Sequence, residues 1–162
     1  MPNSSNETSN HPGKPPRLDT IFSRYTTPLF FVTFNTADRS SLLANEPVHL
    51  AFRNYATRGK EMARVYVGRY VLMPDHTHLF VTGNDEFDLG LWIRGLKRAM
   101  SKAIQSTDSE HWQPGFFDHL MRSDESYEGK CQYVRNNPVR AGLVKEADDW
   151  PYQAEIASIG SI

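Results

Sequence analysis

The spacing of apolar residues along this chain changes period several times, and each change marks an element. Leu29-Phe30-Phe31-Val32-Thr33-Phe34 is a dense aromatic and β-branched run closed by the polar stretch Asn35 to Ser41, and it predicts a largely buried strand. From Pro47 to Thr57, the apolar positions Val48, Leu50, Ala51, Phe52, Tyr55 and Ala56 suit a helix with Pro47 in its first turn. Ala63 to Met73 alternates weakly through Val65, Val67 and Val71 and predicts a second strand. Met73-Pro74-Asp75 turns the chain into a third strand, His76 to Thr82, which Gly83-Asn84-Asp85 ends. The short spacing makes these two strands an antiparallel hairpin.

Beyond the hairpin the period becomes helical. Between Phe87 and Gln105 the residues Leu89, Trp92, Ile93, Leu96, Met100, Ala103 and Ile104 form one stripe, while Arg94, Lys97, Arg98 and Lys102 occupy the other side. A short strand is expected around Phe116-Phe117. A helix from Asp124 to Arg135 follows, with Ser123 as N-cap and Asn137-Pro138 fixing its end. Trp150, Tyr152 and Ile156 are placed to pack back onto the domain. The order strand, helix, strand, strand, helix, short strand, helix predicts an α+β protein whose helices cover a mainly antiparallel sheet.

Composition narrows the picture. Residues 1 to 20 are rich in Asn, Ser and Pro and predict a flexible leader, leaving 21–162 as a single domain. The single cysteine, Cys131, excludes an intrachain disulfide and a multi-cysteine zinc site, fits a reducing cytoplasm, and is read as a packing residue. No apolar stretch is long enough for a bilayer and no secretory h-region opens the chain, so a soluble cytoplasmic protein is expected. A formal net charge of -1 argues against a protein that coats long duplex DNA. Any contact with nucleic acid must rest on local patches, such as the Arg94, Lys97, Arg98 and Lys102 face.

Two groups of residues carry candidate chemistry. His76 and His78 lie two apart on a strand, so both imidazoles share one face and Thr77 takes the other. Two nitrogens side by side make half of a metal site, although strand histidines also occur without ligands. Tyr133 and Asn137 lie four apart at helical spacing, which brings a hydroxyl and an amide to one face. A tyrosine hydroxyl is a weak nucleophile near neutral pH and needs a cation or base beside it. The alternatives are core packing for Tyr133 and a capping role for Asn137 ahead of Pro138.

Three blocks of sequence join these groups. They are Tyr70-Val71-Leu72-Met73-Pro74-Asp75-His76-Thr77-His78-Leu79-Phe80, then Trp112-Gln113-Pro114-Gly115-Phe116-Phe117-Asp118-His119, then Tyr133-Val134-Arg135-Asn136-Asn137-Pro138-Val139-Arg140-Ala141-Gly142-Leu143-Val144. In that order they resemble the HUH single-strand DNA transposases, and most closely the bacterial REP-associated tyrosine transposases. The resemblance spans roughly Tyr25 to Tyr152. It implies a ferredoxin-like HUH core, Mg²⁺ or Mn²⁺ held by His76, His78 and Asn137, and Tyr133 as the nucleophile. Attack would leave a 5′-phosphotyrosine and a free 3′-hydroxyl, with strand rejoining from the same intermediate. The implied partner is single-stranded DNA with hairpin or palindromic repeats, met at the bacterial nucleoid by a monomer or homodimer. Arg135 and Arg140, close to Tyr133, join the helical basic face as candidate phosphate contacts, and His119 has no assigned role. Thr77 departs from the family, which usually has a bulky apolar residue there. Two other classes stand beside this reading. One is a catalytically silent module that binds single-stranded nucleic acid. The other is a small metal hydrolase, for which the histidine strand offers only Asp75 as an acid.

Overall fold

A computed structural model describes residues 27–122 and 124–159, so the expected leader and the Ser123 cap lie outside the described residues. Within them the chain forms β1 (Leu29–Asn35), α1 (Glu46–Ala63), β2 (Tyr66–Leu72), β3 (His76–Thr82), α2 (Leu89–Ala103), β4 (Phe117–Leu120), α3 (Tyr127–Arg135), a one-turn α4 (Asn137–Arg140) and β5 (Gln153–Glu155). The strands make one five-stranded sheet in the order β4-β1-β3-β2-β5, with every neighbouring pair antiparallel. The first four strands and two helices follow the β-α-β-β-α-β path of a ferredoxin-like fold. The α+β expectation is met, with β5 added at the edge.

Because side chains alternate along each strand, the sheet faces two cores. On one face α1 and α2 pack against each other and bury Phe52, Trp92, Ile93, Leu96 and Met100 over Val32, Phe34, Leu79 and Val81. On the other, α3 lays Cys131 and Val134 on Leu29, Val71, Met73 and Phe80. Cys131 is therefore a packing residue, as expected. Trp150, Tyr152 and Ile156 do pack back, Trp150 donating its indole N–H to the Leu72 carbonyl at 2.9 Å. Among the described residues no helix is long and apolar enough to cross a membrane.

Several boundaries differ from expectation. The first helix runs to Ala63 rather than Thr57, because Arg58, Lys60, Glu61 and Met62 favour helix, against Gly59, without extending the apolar stripe. It stops where Arg64 turns left-handed (φ 52°) and returns its N–H to the Gly59 carbonyl. The α3 helix begins at Tyr127, not Asp124: its cap is Ser126, whose hydroxyl accepts from the Gly129 N–H at 3.1 Å. Pro138 ends only one segment. Asn136 stays helical at the junction, and the chain makes another turn as α4.

One glycine governs how closely α3 can approach. Gly68 sits where the β2–β3 register shifts, and a Cβ there would run into the Tyr127 hydroxyl and Ile159. That hydroxyl instead accepts the Arg69 N–H at 2.9 Å, locking the first residue of α3 to the sheet.

Thr77 is fully buried on the α1/α2 face, and its hydroxyl has no hydrogen-bond partner among the described residues. An unpaired buried hydroxyl is destabilising, whereas valine has nearly the same shape. Thr77→Val is expected to raise stability by about 1 kcal/mol. Chemical denaturation would show this as a higher midpoint at unchanged slope; a lower midpoint would mean the hydroxyl is satisfied in solution.

Candidate active site

His76 and His78 project from β3 on the α3 face, opposite Asn35 and Thr33 of β1. Their rings lie 4.8 Å apart, edge to face at 77°. Each ring is tied through Nδ1. His76 meets the Asp75 carboxylate at 2.8 Å, and His78 meets the Thr33 hydroxyl at 2.7 Å. Neither Nε2 has a hydrogen-bond partner among the described residues. Burial, together with the charges of His76, Arg140 and Arg39, pushes the His78 imidazole down to about 4. It is thus neutral near physiological pH, the form that offers a lone pair.

Asp75 is itself clamped. Its other oxygen receives the Arg39 Nε–H at 2.8 Å, and Arg39 also donates to Asn35 Oδ1 at 2.9 Å. Burial alone would raise the Asp75 carboxyl, but the hydrogen bonds from His76 and Arg39 outweigh it and hold the group below its usual range. Arg39 reaches this position from a tight turn in which Asp38 and Arg39 both have positive φ, 52° and 54°. Such backbone is costly for non-glycine residues and is held here by what the guanidinium touches. Sequence reasoning missed Arg39, Asn35 and Thr33.

Tyr133 stands on α3 with 55 % of its surface exposed. The Arg140 guanidinium from α4 lies over its ring, 3.9 Å from the centroid. The positive charge of Arg140 is also among the causes that lower the His78 imidazole. Asn137 is half-buried at the start of α4, and its side chain forms no hydrogen bond among the described residues. The competing cap is not made: Asn136 occupies the junction, and it too bonds nothing through its side chain. Among the described residues no three or more of His, Cys, Asp and Glu converge to hold a metal ion. On the histidine strand, the two imidazole Nε2 atoms are the unbonded lone-pair groups that share this face.

Comparison with known proteins bears directly on this arrangement. The family model described as "Transposase IS200 like" matches residues 29–137, which is more than half of the chain. The chain belongs to the IS200-like transposase family. A REP-associated tyrosine transposase of Escherichia coli (strain K12) is 29% identical over 126 residues, covering 76% of this chain and 73% of that one. Among solved structures, a REP-associated tyrosine transposase bound to a REP hairpin is 27% identical with a TM-score of 0.65, covering 78% of this chain and 75% of that chain.

In this member of the IS200-like family the basic residues divide between the two sides of the sheet. Arg94, Arg98 and Lys102 are exposed on α2, which packs on the face opposite the histidines. Lys97 is half-buried and donates to the carbonyls of Gln113 at 3.3 Å and Gly115 at 2.6 Å, so it pins a loop. Arg135 pairs with Asp148, and Arg140 is the one of these six that touches Tyr133.

His119 lies on edge strand β4 opposite Phe31, and its Nε2 meets both Glu125 oxygens at 2.8 and 3.0 Å. Lys130 of α3 reaches the same carboxylate at 3.2 Å. The cluster ties β4 to the start of the tyrosine helix. Burial would raise Glu125, but the Arg122 amide, His119 and Lys130 hold it down to about 2. The folded value lies below the ordinary one, so this stabilisation is complete above pH about 4.5 and is lost as pH falls towards about 2. Glu125→Gln is expected to speed amide exchange in α3 about tenfold at neutral pH, leaving β1 and β3 unchanged, and to flatten the acid loss. Unchanged exchange in α3 would remove the cluster's holding role.

Proposed function

We propose that the chain is a metal-dependent, site-specific single-strand DNA endonuclease and strand transferase acting on hairpin or palindromic repeat DNA. The observation that carries this reading is the pair His76 and His78, side by side on one strand with both Nε2 atoms unpartnered among the described residues, in a chain of the IS200-like family. The relative bound to a REP hairpin supports the choice of substrate class.

In this reading His76 and His78 bind Mg²⁺ or Mn²⁺ through Nε2, and Asn137 supplies a third donor through its amide oxygen. Each Nδ1 then keeps its proton and donates it, to Asp75 from His76 and to Thr33 from His78, the outer contacts that orient metal-binding imidazoles. A bound ion would supply Lewis-acid polarisation of the phosphate at this place. The Tyr133 oxygen attacks phosphorus and forms a 5′-phosphotyrosine. The bond from phosphorus to the 3′-oxygen breaks, its electron pair stays on that oxygen, and a proton completes the 3′-hydroxyl. Because the ester energy is kept in the covalent link, a 3′-hydroxyl can reverse the step and rejoin strands without ATP. Arg140, stacked on the Tyr133 ring, would donate its N–H groups to a phosphate oxygen of the bound strand. In this reading the chain works as a monomer on DNA in the cytoplasm.

Incubation with hairpin-bearing single-stranded DNA and Mn²⁺ is expected to yield a covalent protein–DNA band that EDTA prevents. Tyr133→Phe should abolish the band while leaving DNA binding intact; an undiminished band would sink the nucleophile assignment. Thr33→Val should raise the Mn²⁺ concentration needed for half-maximal adduct by about 10- to 100-fold, through loss of the bond that orients His78. An unshifted Mn²⁺ titration would show that His78 is not a ligand held by Thr33.

A further inference from the structure

Beside the histidines, the far end of β1 and the Gln113-to-Phe117 segment enclose a cleft of about 310 Å³. Thr33 and Asn35, the register partners of His78 and His76, form part of its wall, so the cleft and the candidate active site share a border. Phe117 forms another part. It pairs with Thr33 across β4 and β1, which puts its ring on the histidine face, and 75 % of it is exposed. An open aromatic ring beside a polar cleft offers a flat platform on which a base can stack.

The polar wall has a fixed hydrogen-bond direction. Arg39 can only donate, so Asn35 Oδ1 accepts from it and Asn35 Nδ2 donates to Gln113 Oε1 at 3.1 Å. Gln113 Nε2 is therefore the free end of the relay, a donor with no partner among the described residues. The relay runs back through Arg39 and Asp75 to His76. From behind, Lys97 holds the carbonyls of Gln113 and Gly115, so the loop is set before any ligand arrives. Gly115 has open space where a side chain would be and keeps the mouth clear.

The geometry points to a subsite for one unpaired nucleobase of the DNA strand, stacked on Phe117 with an acceptor atom turned to Gln113 Nε2. A cleft at the small end of ligand pockets admits one base and excludes a base pair. A base seated there sets the position of the adjoining backbone relative to His76 and His78. Stacking tolerates any base, whereas the Gln113 donor adds a preference at that nucleotide. The inference rests on the reading of the chain as a single-strand DNA enzyme.

The test uses the full chain and a pool of stem-loop oligonucleotides with a randomised unpaired flank, enriched on the wild-type protein. Each flank position of the enriched sequence is then made abasic, and affinity is followed by fluorescence anisotropy. One abasic position should weaken wild-type binding by about 5- to 100-fold, and Phe117→Ala should lose as much on the intact strand. The two changes together should lose no more than either alone. Phe117→Trp should restore binding where Phe117→Leu does not, and iododeoxyuridine at that position should photo-crosslink to Phe117. Wild-type affinity in Phe117→Ala, or losses that add fully at every position, would overturn the subsite. If the wild-type chain still forms its Tyr133 adduct in that case, only the subsite fails. A wild-type chain that enriches no sequence at all overturns both readings.

Discussion

A strand in the middle of a sheet covered on both sides must serve two cores at once, and β3 does so within seven residues. Thr77, Leu79 and Val81 face α1 and α2, while His76, His78 and Phe80 face α3. The alternation cannot slip by one residue without driving both imidazoles into the larger core and exposing Leu79. Everything described at the candidate site inherits its position from this register. Thr33 meets His78 because β1 pairs with β3 in step, and α3 comes to the histidines because Phe80 and Val71 form the floor on which it packs.

On that frame the electrostatics are local and directional. A carboxylate bridges an imidazole and a guanidinium, the guanidinium fixes an amide, and the amide fixes a second amide. Each member has its remaining hydrogen-bonding atom decided by the one before it, so the relay orients more than it stabilises. Local cost is visible at the left-handed backbone of Asp38 and Arg39 and at the unpaired hydroxyl of Thr77. Both lie next to the histidines, where a fold that only had to be stable would have used other residues.

Much of this could be read from the chain itself, for a physical reason. Strand and helix periods are local, so the common face of His76 and His78 and the apolar stripe of α2 follow from spacing alone. What spacing cannot report is which side of the sheet a helix takes, and so nothing in the sequence told that the basic face of α2 lies across the sheet from the histidines. The three residues of β5, Gln153-Ala154-Glu155, carry no alternation and become a strand only because Arg69 to Val71 offer an open edge. Arg39 sits in a polar stretch that reads as a plain turn, and its importance depends on partners far away in sequence. Asn137 shows the converse. Its residue type suggested a cap, but the backbone passes through Asn136 in helical geometry and leaves the Asn137 amide unclaimed.

The strand order β4-β1-β3-β2-β5 also orders events in time. During synthesis β1, β2 and β3 emerge first and can pair as soon as β3 is out, bringing Thr33 to His78. Edge strand β4 and the helix that carries Tyr133 come later and must dock on a sheet already formed. A nascent chain therefore holds the histidine half of the proposed centre before it holds Tyr133. The helix that carries Tyr133 is thus delivered later, to a strand pair already in register.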